Sequence, residues 1–514
     1  MDILNDHILS LTVLAPILGA ALIALLPIRS RALARWLASV FSGVSFLLAS
    51  VIFTLIDKSG EFDFQELMSW IPGLGISYHV GADGASAALL LTSSVVLAAT
   101  LFASFREEIA EYKFFYSMIL LSAAGAMGFF ISMNLYLMIL FYALAIFPVF
   151  MLIGMGSRKK GARAAVKFVL FMSSSVSLLF VGTAAVSAIG GSSEILDIYS
   201  HRFSAHEQLF FFMIFAAGFG IAVPLILLHS WLSDSVEEGP IAAGILICAI
   251  VVKMGAYGFF RLVLPAFPAA TLHYNTPILV IAASGVVGGF FIAIAQKEIK
   301  RLIAFSTVAY MGVALIGLFA ANRMSVTGSI LHMVNHGFAV SAIFALLSVF
   351  CARGSDTDLH CLCRMSCRMP VLSVLLVFSF VAYAGVPFLN MFPGEFLIFL
   401  GAFQNSTCFA IIGMLGLAVA AALMIWTAAR SVCVKVSNEE LGTISPVRAG
   451  EMVALIVMSS AIVLSGLFPD FIISRVAGSA GAFVKLANRV EMIIPASELG
   501  YTTESGASDA LRRE

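Results

Sequence analysis

Stretches of about twenty consecutive apolar residues, the length that crosses a hydrocarbon core of about 30 Å, recur along this chain almost without pause. They fall at 8–28, 34–56, 85–104, 114–132, 134–155, 164–188, 208–229, 240–262, 275–296, 302–321, 325–350, 370–404, 407–429 and 450–474. Backbone amides in lipid must be satisfied within the segment, so the expected fold is all-α: a polytopic membrane protein of about fourteen transmembrane helices. Composition agrees, with 61% hydrophobic and 11% charged residues and a mean hydropathy of +1.03. A soluble core cannot absorb that much apolar surface. The 29 basic and 29 acidic residues cancel, which gives no sign of nucleic-acid binding. The first apolar run follows Asp2 and Asp6 and lacks the basic leader and cleavage site of a secretory signal, so it reads as the first span.

Two spans carry breaks. Gly385, Val386 and Pro387, then Asn390, Pro393 and Gly394, divide the twelfth into half-helices, and Gly218, Gly220 and Pro224 interrupt the seventh more mildly. Irregular backbone at membrane depth is tolerated only where protein or a watery cavity satisfies the freed groups.

Retained Lys and Arg mark the inner side of short loops. With the N-terminus outside, most basic residues, among them Arg29, Arg31, Arg35, Lys113, Lys159, Lys160, Lys297, Lys300, Arg301 and Arg430, fall in inner loops. Outer loops hold only Lys58, Arg202, Arg261 and Arg323. The polar stretch beyond about residue 490 reads as a mobile tail. Lys167 and Lys253 are the two cations placed inside spans.

Lys167 lies a few residues inside its span, beside Arg163, within reach of the interface by snorkelling. Lys253 follows Pro240 by thirteen residues, which at 1.5 Å per residue places it about 19 Å deep, near the midplane. A charge there costs about 2.5–3.5 kcal/mol on insertion scales, and an ionisable group at that depth is a functional candidate by default. Among the acids, Glu395 in Phe392-Pro393-Gly394-Glu395-Phe396 is the one placed at depth, at the opening of the second half of the broken twelfth helix. Half-helix ends at membrane depth are where transporters place ion sites. His336, in Leu331-His332-Met333-Val334-Asn335-His336-Gly337, falls near the middle of the eleventh span, where an imidazole can either relay protons or simply be hydrogen-bonded. The segment His229–Pro240 carries Asp234, Glu237 and Glu238 on an otherwise basic inner face; it could gather protons, contact a partner or be a solvated loop. His360, Cys361, Cys363 and Cys367 do not have a standard zinc or iron–sulfur spacing, so no metal is expected. No dinucleotide fingerprint, P-loop or haem attachment motif occurs, and no cofactor or redox centre of the chain's own is expected.

From about residue 70 to 430 the chain resembles the antiporter-like subunits of respiratory complex I, most closely the proton-pumping subunit M of NADH-quinone oxidoreductase, the counterpart of mitochondrial subunit 4. The resemblance runs through Tyr78-His79-Val80-Gly81-Ala82-Asp83-Gly84, His229-Ser230-Trp231-Leu232, Val252-Lys253-Met254-Gly255-Ala256-Tyr257-Gly258, Lys300-Arg301-Leu302-Ile303-Ala304-Phe305-Ser306, His336-Gly337 and Gly394-Glu395-Phe396. Multisubunit sodium/proton antiporters share this core. The resemblance implies two inverted five-helix repeats, 114–262 and 275–429, with broken helices 7 and 12, preceded by helices 1–3 in 1–104 and followed by helix 14 at 450–474 and a tail at 475–514. It further implies a proton-translocation set of Lys253 as central lysine, Glu395 as the acid of the second broken helix and His336 as relay, joined by Lys167 and His229.

Three positions depart from the pattern. The lysine of the first broken helix falls on Ala222, the glutamate of the fifth span falls on Ala143, and a histidine expected in the tenth span is replaced in Ala309-Tyr310-Met311-Gly312. Losing both members of an ion pair is less harmful than losing one, so the first half-channel is expected to be lost together and the second to survive. The expected role is a membrane-arm subunit of a complex I-like assembly in a bacterial inner membrane. Its partners would be other membrane subunits, protons and lipid, with electron transfer elsewhere in the assembly. A charge arriving near a desolvated lysine would eject its proton. The competing expectations are a sodium/proton antiporter subunit and a degenerate paralogue with a structural role only.

Overall fold

A computed structural model describes residues 7–27, 29–107, 109–156, 158–354, 357–366, 369–432, 447 and 449–488. Among the described residues thirteen helices are long and apolar enough to cross a membrane, from Ile8–Leu25 to Gly450–Leu467. The fourteenth expected span is the broken twelfth, seen as Pro370–Tyr383 and Met391–Asn405. Gly385 stands in the gap at φ +74°, a conformation that costs glycine little and other residues more. The seventh span is likewise two pieces, Ala205–Ala222 and the short helix Ser230–Glu238. The breaks fall at Pro224 and at 385–390, whereas Gly218 and Gly220, also expected to interrupt the seventh span, lie inside its helix, as Pro393 and Gly394 lie inside Met391–Asn405. The stretch beyond 490, expected as a mobile tail, lies outside the described residues.

The spans are not equivalent. Ile241–Ala266 is wholly enclosed by the rest of the chain, and Ile299–Phe319 and Arg323–Cys351 nearly so, whereas Arg31–Leu55, Thr407–Arg430 and Gly450–Leu467 bury only about a third of their residues. A helix that is apolar all round belongs in the interior of a bundle, and Ile241–Ala266 is apolar on every side except at Lys253 and Arg261.

Three features were not expected from the sequence. Strands Asp63–Ile71 and Ile76–Ala82 form an antiparallel hairpin between the second and third spans. Its Glu66 accepts hydrogen bonds from the backbone N–H of Leu9 and Ser10, 2.9 and 3.0 Å, and so caps the first span. His79 Nδ1 lies 2.6 Å from Glu194 Oε2 across to the loop before the short helix Ile195–Ser200. Burial would raise the Glu194 carboxyl, but bonds from His79, Ser77 and Asn134 outweigh it and hold the group below the ordinary carboxylate value. Secondly, the last span ends at Leu467, and a further helix, Asp470–Ala487, follows Pro469. Thirdly, two π-helical turns, Ile247–Val251 and Phe259–Val263, interrupt the eighth span on either side of Lys253.

Arg261 is the correction to the charge map. Expected in an outer loop, it is 6% exposed inside the eighth span, where Nη2 donates to Asp83 Oδ1 at 2.6 Å and Nε to Tyr257 Oη at 2.9 Å. Asp83 also N-caps the third span through Ser86 N. The helix runs farther than the apolar run alone suggests because this pair lets a guanidinium stay inside. Breaking such a pair leaves an uncompensated buried charge, at a cost of about 3–5 kcal/mol. Arg261→Leu should therefore lower the midpoint of thermal unfolding in detergent sharply, and adding Asp83→Asn should recover part of the loss. Equal melting of Arg261→Leu and wild type would show that the pair carries no such weight.

Candidate functional site

Lys253 is 1% exposed, on the turn Val252–Gly258 between the two π segments. In the π turn before it, the N–H of Val252 reaches Ile247 O rather than the carbonyl four residues back. Cys248 O is thereby released and accepts a hydrogen bond from Lys253 Nζ. Such bulges free backbone groups where function needs them. The second partner of Nζ is His336 Nδ1, at 2.9 Å. His336 and His332 are both fully buried on the eleventh span, which packs between the third span and Met391–Asn405.

The far side of the His336 ring continues the chain of contacts. Nε2 lies 3.2 Å from Tyr383 Oη, on the last residue of the first half of the broken twelfth helix. Tyr310 packs between, its ring centroid 4.8 Å from that of Tyr383 and 5.5 Å from that of His336, and its hydroxyl donates to Tyr383 O. His332 Nε2 lies 3.2 Å from Tyr310 O. With a charged lysine donating to Nδ1, the imidazole proton sits on Nε2 and faces Tyr383. A proton accepted at Nδ1 and released from Nε2 crosses the ring without moving it.

Glu395 is 7% exposed. Its half-helix begins at Met391, so the carboxylate lies beyond the first turn, where a helix end exerts most of its pull; the expected position at the opening of this half-helix is corrected by one turn. The carboxylate instead packs against Gly385 at the break, in a space that a β-carbon at Gly385 would fill. Oε1 has no hydrogen-bond partner among the described residues, and the side chain borders a cavity of about 360 Å³ lined mainly by Phe392, Phe399, Leu400 and Ala384. Asn335 and Asn390 pin the break to the eleventh span by exchanging side-chain-to-carbonyl hydrogen bonds.

The structure thus brings Lys253 and His336 into direct contact and sets Glu395 against Gly385, two residues beyond Tyr383. Lys167 and His229 stand elsewhere. Lys167, about one-third exposed at the inner end of its span, binds Asp234 at 2.8 Å. His229, in the break of the seventh span, has Nδ1 against Ile226 O. The acidic segment is a short helix whose carboxylates meet cations: Asp234 and Glu237 pair with Arg301, and Glu238 lies 3.9 Å from Lys160. Ala143 is partly buried and Ala222 fully buried. Beside them Tyr142 Oη, Ser175 Oγ and Gly218 O form a neutral hydrogen-bonded chain of 2.8 and 2.7 Å links. Cys361 and Cys363 form no disulfide and no group of three potential metal ligands forms among the described residues; the His360 side chain and Cys367 lie outside them.

Sequence reasoning missed Tyr383, Tyr310 and the Cys248 carbonyl. A tyrosine directly before Ala384-Gly385-Val386-Pro387 was an available signal, since a hydroxyl at a helix break has unsatisfied backbone to meet. It also missed Glu107, in the loop between the third and fourth spans. Its Oε1 accepts from Ala242 N at 3.2 Å at the start of the eighth span, while Oε2 has no partner among the described residues.

A buried lysine joined through a histidine and a tyrosine to a broken helix that carries a buried acid defines an antiporter-like membrane subunit. A family model described as NADH:quinone oxidoreductase/Mrp antiporter, transmembrane region, matches residues 132–421. NADH-quinone oxidoreductase subunit M of Rhodobacter capsulatus is 28% identical over 499 residues, covering 93% of this chain and 97% of its own. The F(420)H(2) dehydrogenase subunit M of Methanosarcina mazei is 27% identical, over 84% of this chain and 88% of its own. Among solved structures, a chain of respiratory complex I from Thermus thermophilus superposes with a TM-score of 0.85 at 26% identity, covering 93% of this chain and 99% of that one. A chain of the Mrp complex from Dietzia sp. superposes at 0.78 and 17% identity, over 97% and 100%, a likeness of fold alone. This chain is a multi-pass membrane protein of the NADH:quinone oxidoreductase/Mrp antiporter family, and within that family it is similar to the subunit M proteins.

Glu107, outside the spans, generates a pH test. Burial pushes its carboxyl from 4.5 up to about 7, against the opposing pull of Ala242 N–H and Lys300. Between those values the unfolded chain ionises this group while the folded chain keeps the proton, so stability falls as pH rises from 4.5 to about 7 and levels off above. Melting midpoints recorded across that window should show this decline in wild type and a smaller one in Glu107→Gln. Parallel curves would remove Glu107 as its source.

Proposed function

We propose that this chain is a membrane-arm subunit of a complex I-like assembly, and that it translocates protons through its second half, between Lys253 and Glu395, driven by electron transfer in partner subunits. The observation that carries the reading is the continuous contact from Lys253 Nζ through His336 to Tyr383 Oη, at 2.9 and 3.2 Å, on elements enclosed by protein. An ammonium at membrane depth is costly to insert, and here it is held by one carbonyl and one titratable ring, an arrangement suited to giving up a proton rather than to permanent charge. The 26% identity with the complex I chain, against 17% with the Mrp chain at equally complete coverage, supports the complex I-like reading over a free-standing antiporter.

In this proposal the first half acts differently. Ala143 and Ala222 carry no charge, so no ion pair opens and closes there, and the Tyr142–Ser175 link supplies neutral packing in its place. Coupling then arrives at Lys253 from another direction: either the neighbouring subunit or the Glu395 side. Lys167, paired at the inner face, and His229, at the break of the seventh span, have supporting positions near the proton's route of entry.

The test is proton pumping by the intact assembly in liposomes. Lys253→Ala should assemble at wild-type level, retain electron transfer and lower the protons moved per electron. Lys253→Arg, which keeps the charge and cannot release it, should do the same. Restoring Glu at Ala143 together with Lys at Ala222 should leave the Lys253 dependence in place. An unchanged proton ratio in both Lys253 variants would reduce the chain to a scaffold.

A further inference from the structure

A second cavity, of about 370 Å³, lies away from the proton site, between the second, third, eleventh and fourteenth spans. Phe53, Val334, Phe338, Leu464, Phe468 and Phe471 form most of its wall. The two hydroxyls in the lining are already used within their own helices: Thr92 donates to Ala88 O and Ser465 to Ala461 O, each at 2.7 Å. Neither hydroxyl has a proton left for a water, which needs roughly two to four polar partners, and an apolar space of this kind stays dry. Its size falls within the roughly 300–1,000 Å³ of sites that hold small ligands. The mouth is open on the outside of the bundle, where Phe468, Leu464 and Phe471 are 64%, 58% and 50% exposed.

One charged group stands at that mouth. The guanidinium of Arg475 lies 4.9 Å from the ring centre of Phe53 and 4.5 Å from that of Phe471, two walls of the cavity. Its Nη1 and Nη2 donate to the carbonyls of Phe471 and Thr54, and its buried Nε has no acceptor among the described residues. No carboxylate pairs with it among the described residues. The backbone of Lys58 packs against Gly478, one turn along the same helix, which brings a second cation to this end of the bundle. This end is the one opposite the basic loops.

We infer that this cavity is a binding site for one anionic phospholipid, with an acyl chain between the spans and its phosphate at Arg475. A dry apolar slot accounts for the chain. An aromatic-backed guanidinium without an anion accounts for the headgroup, because Arg is suited to phosphate and stacks on aromatic faces.

The test uses the full chain in the assembly with which it purifies, extracted in mild detergent and isolated by size, so that misassembled variants do not enter the comparison. Phosphatidylglycerol and phosphatidylcholine of equal chain length are offered, and retained lipid is counted by native mass spectrometry. Wild type should keep one lipid with a preference for phosphatidylglycerol of roughly tenfold, the size that one charge-assisted contact supports. Arg475→Gln should bring the preference to near parity, and Ala461→Phe, which fills the cavity, should lose both lipids. Lys485→Gln, an exposed cation on the same helix, should leave the preference intact. The proposal is overturned if wild type retains no lipid or shows no preference, if Lys485→Gln acts like Arg475→Gln, or if a photo-crosslinker at position 468 captures a protein subunit instead of lipid.

Discussion

The structure is organised around keeping an amine inside a helix that touches nothing but protein. Ile241–Ala266 is wholly buried, so Lys253 cannot snorkel to an interface as lysines on lipid-facing helices do. Its compensation is local: a π turn releases the Cys248 carbonyl, and the eleventh span brings His336 to 2.9 Å. Each of these requires the surrounding helices to be fixed. The buried Asp83–Arg261 pair anchors the other end of the same helix to the third span, and Glu107 meets its first turn at Ala242. The eighth span is thus held by the Asp83–Arg261 ion pair toward one end and by the Glu107 carboxyl at the other, and carries a single amine between them.

The broken twelfth helix supplies the other half of the arrangement. Backbone freed at Gly385 and Asn390 is tied to the eleventh span by the Asn335–Asn390 exchange, which keeps Tyr383 against His336 and Glu395 against Gly385. The first half of the molecule has the matching break at Ala222–Ser230 without the matching charges. Where titratable groups are expected by resemblance, a tyrosine, a serine and a backbone carbonyl satisfy one another. The buried titratable groups Lys253, His336 and Glu395 lie on the eighth, eleventh and broken twelfth spans, whereas Ala143 and Ala222 on the fifth and seventh carry no ionisable group.

Much of this was legible in the sequence because lipid imposes a simple rule: apolar runs of fixed length, with any exception functional. That rule located the spans, both breaks, Lys253, His336 and Glu395. It failed where the signal is not hydropathy. The hairpin Asp63–Ile71/Ile76–Ala82 is short, polar and outside the membrane, so nothing in a hydropathy pattern marks it. Arg261 was placed in a loop because a lone arginine ends an apolar run, and only tertiary structure reveals that Asp83, far away in sequence, meets it. The tyrosine link was hidden for a related reason: Tyr383 and Tyr310 read as apolar residues, and the hydroxyls matter only once His336 of the eleventh span is seen against both rings.

In the proposed transport, His336 joins the lysine to the broken helix as a titratable link rather than as packing. The most direct measurement is the number of protons moved per electron by the reconstituted assembly carrying His336→Leu, beside His336→Gln, which keeps a polar side chain but cannot carry a proton through. The account predicts assembled complexes with a lowered ratio in both. A wild-type ratio in His336→Gln would contradict it, because hydrogen bonding without titration would then suffice.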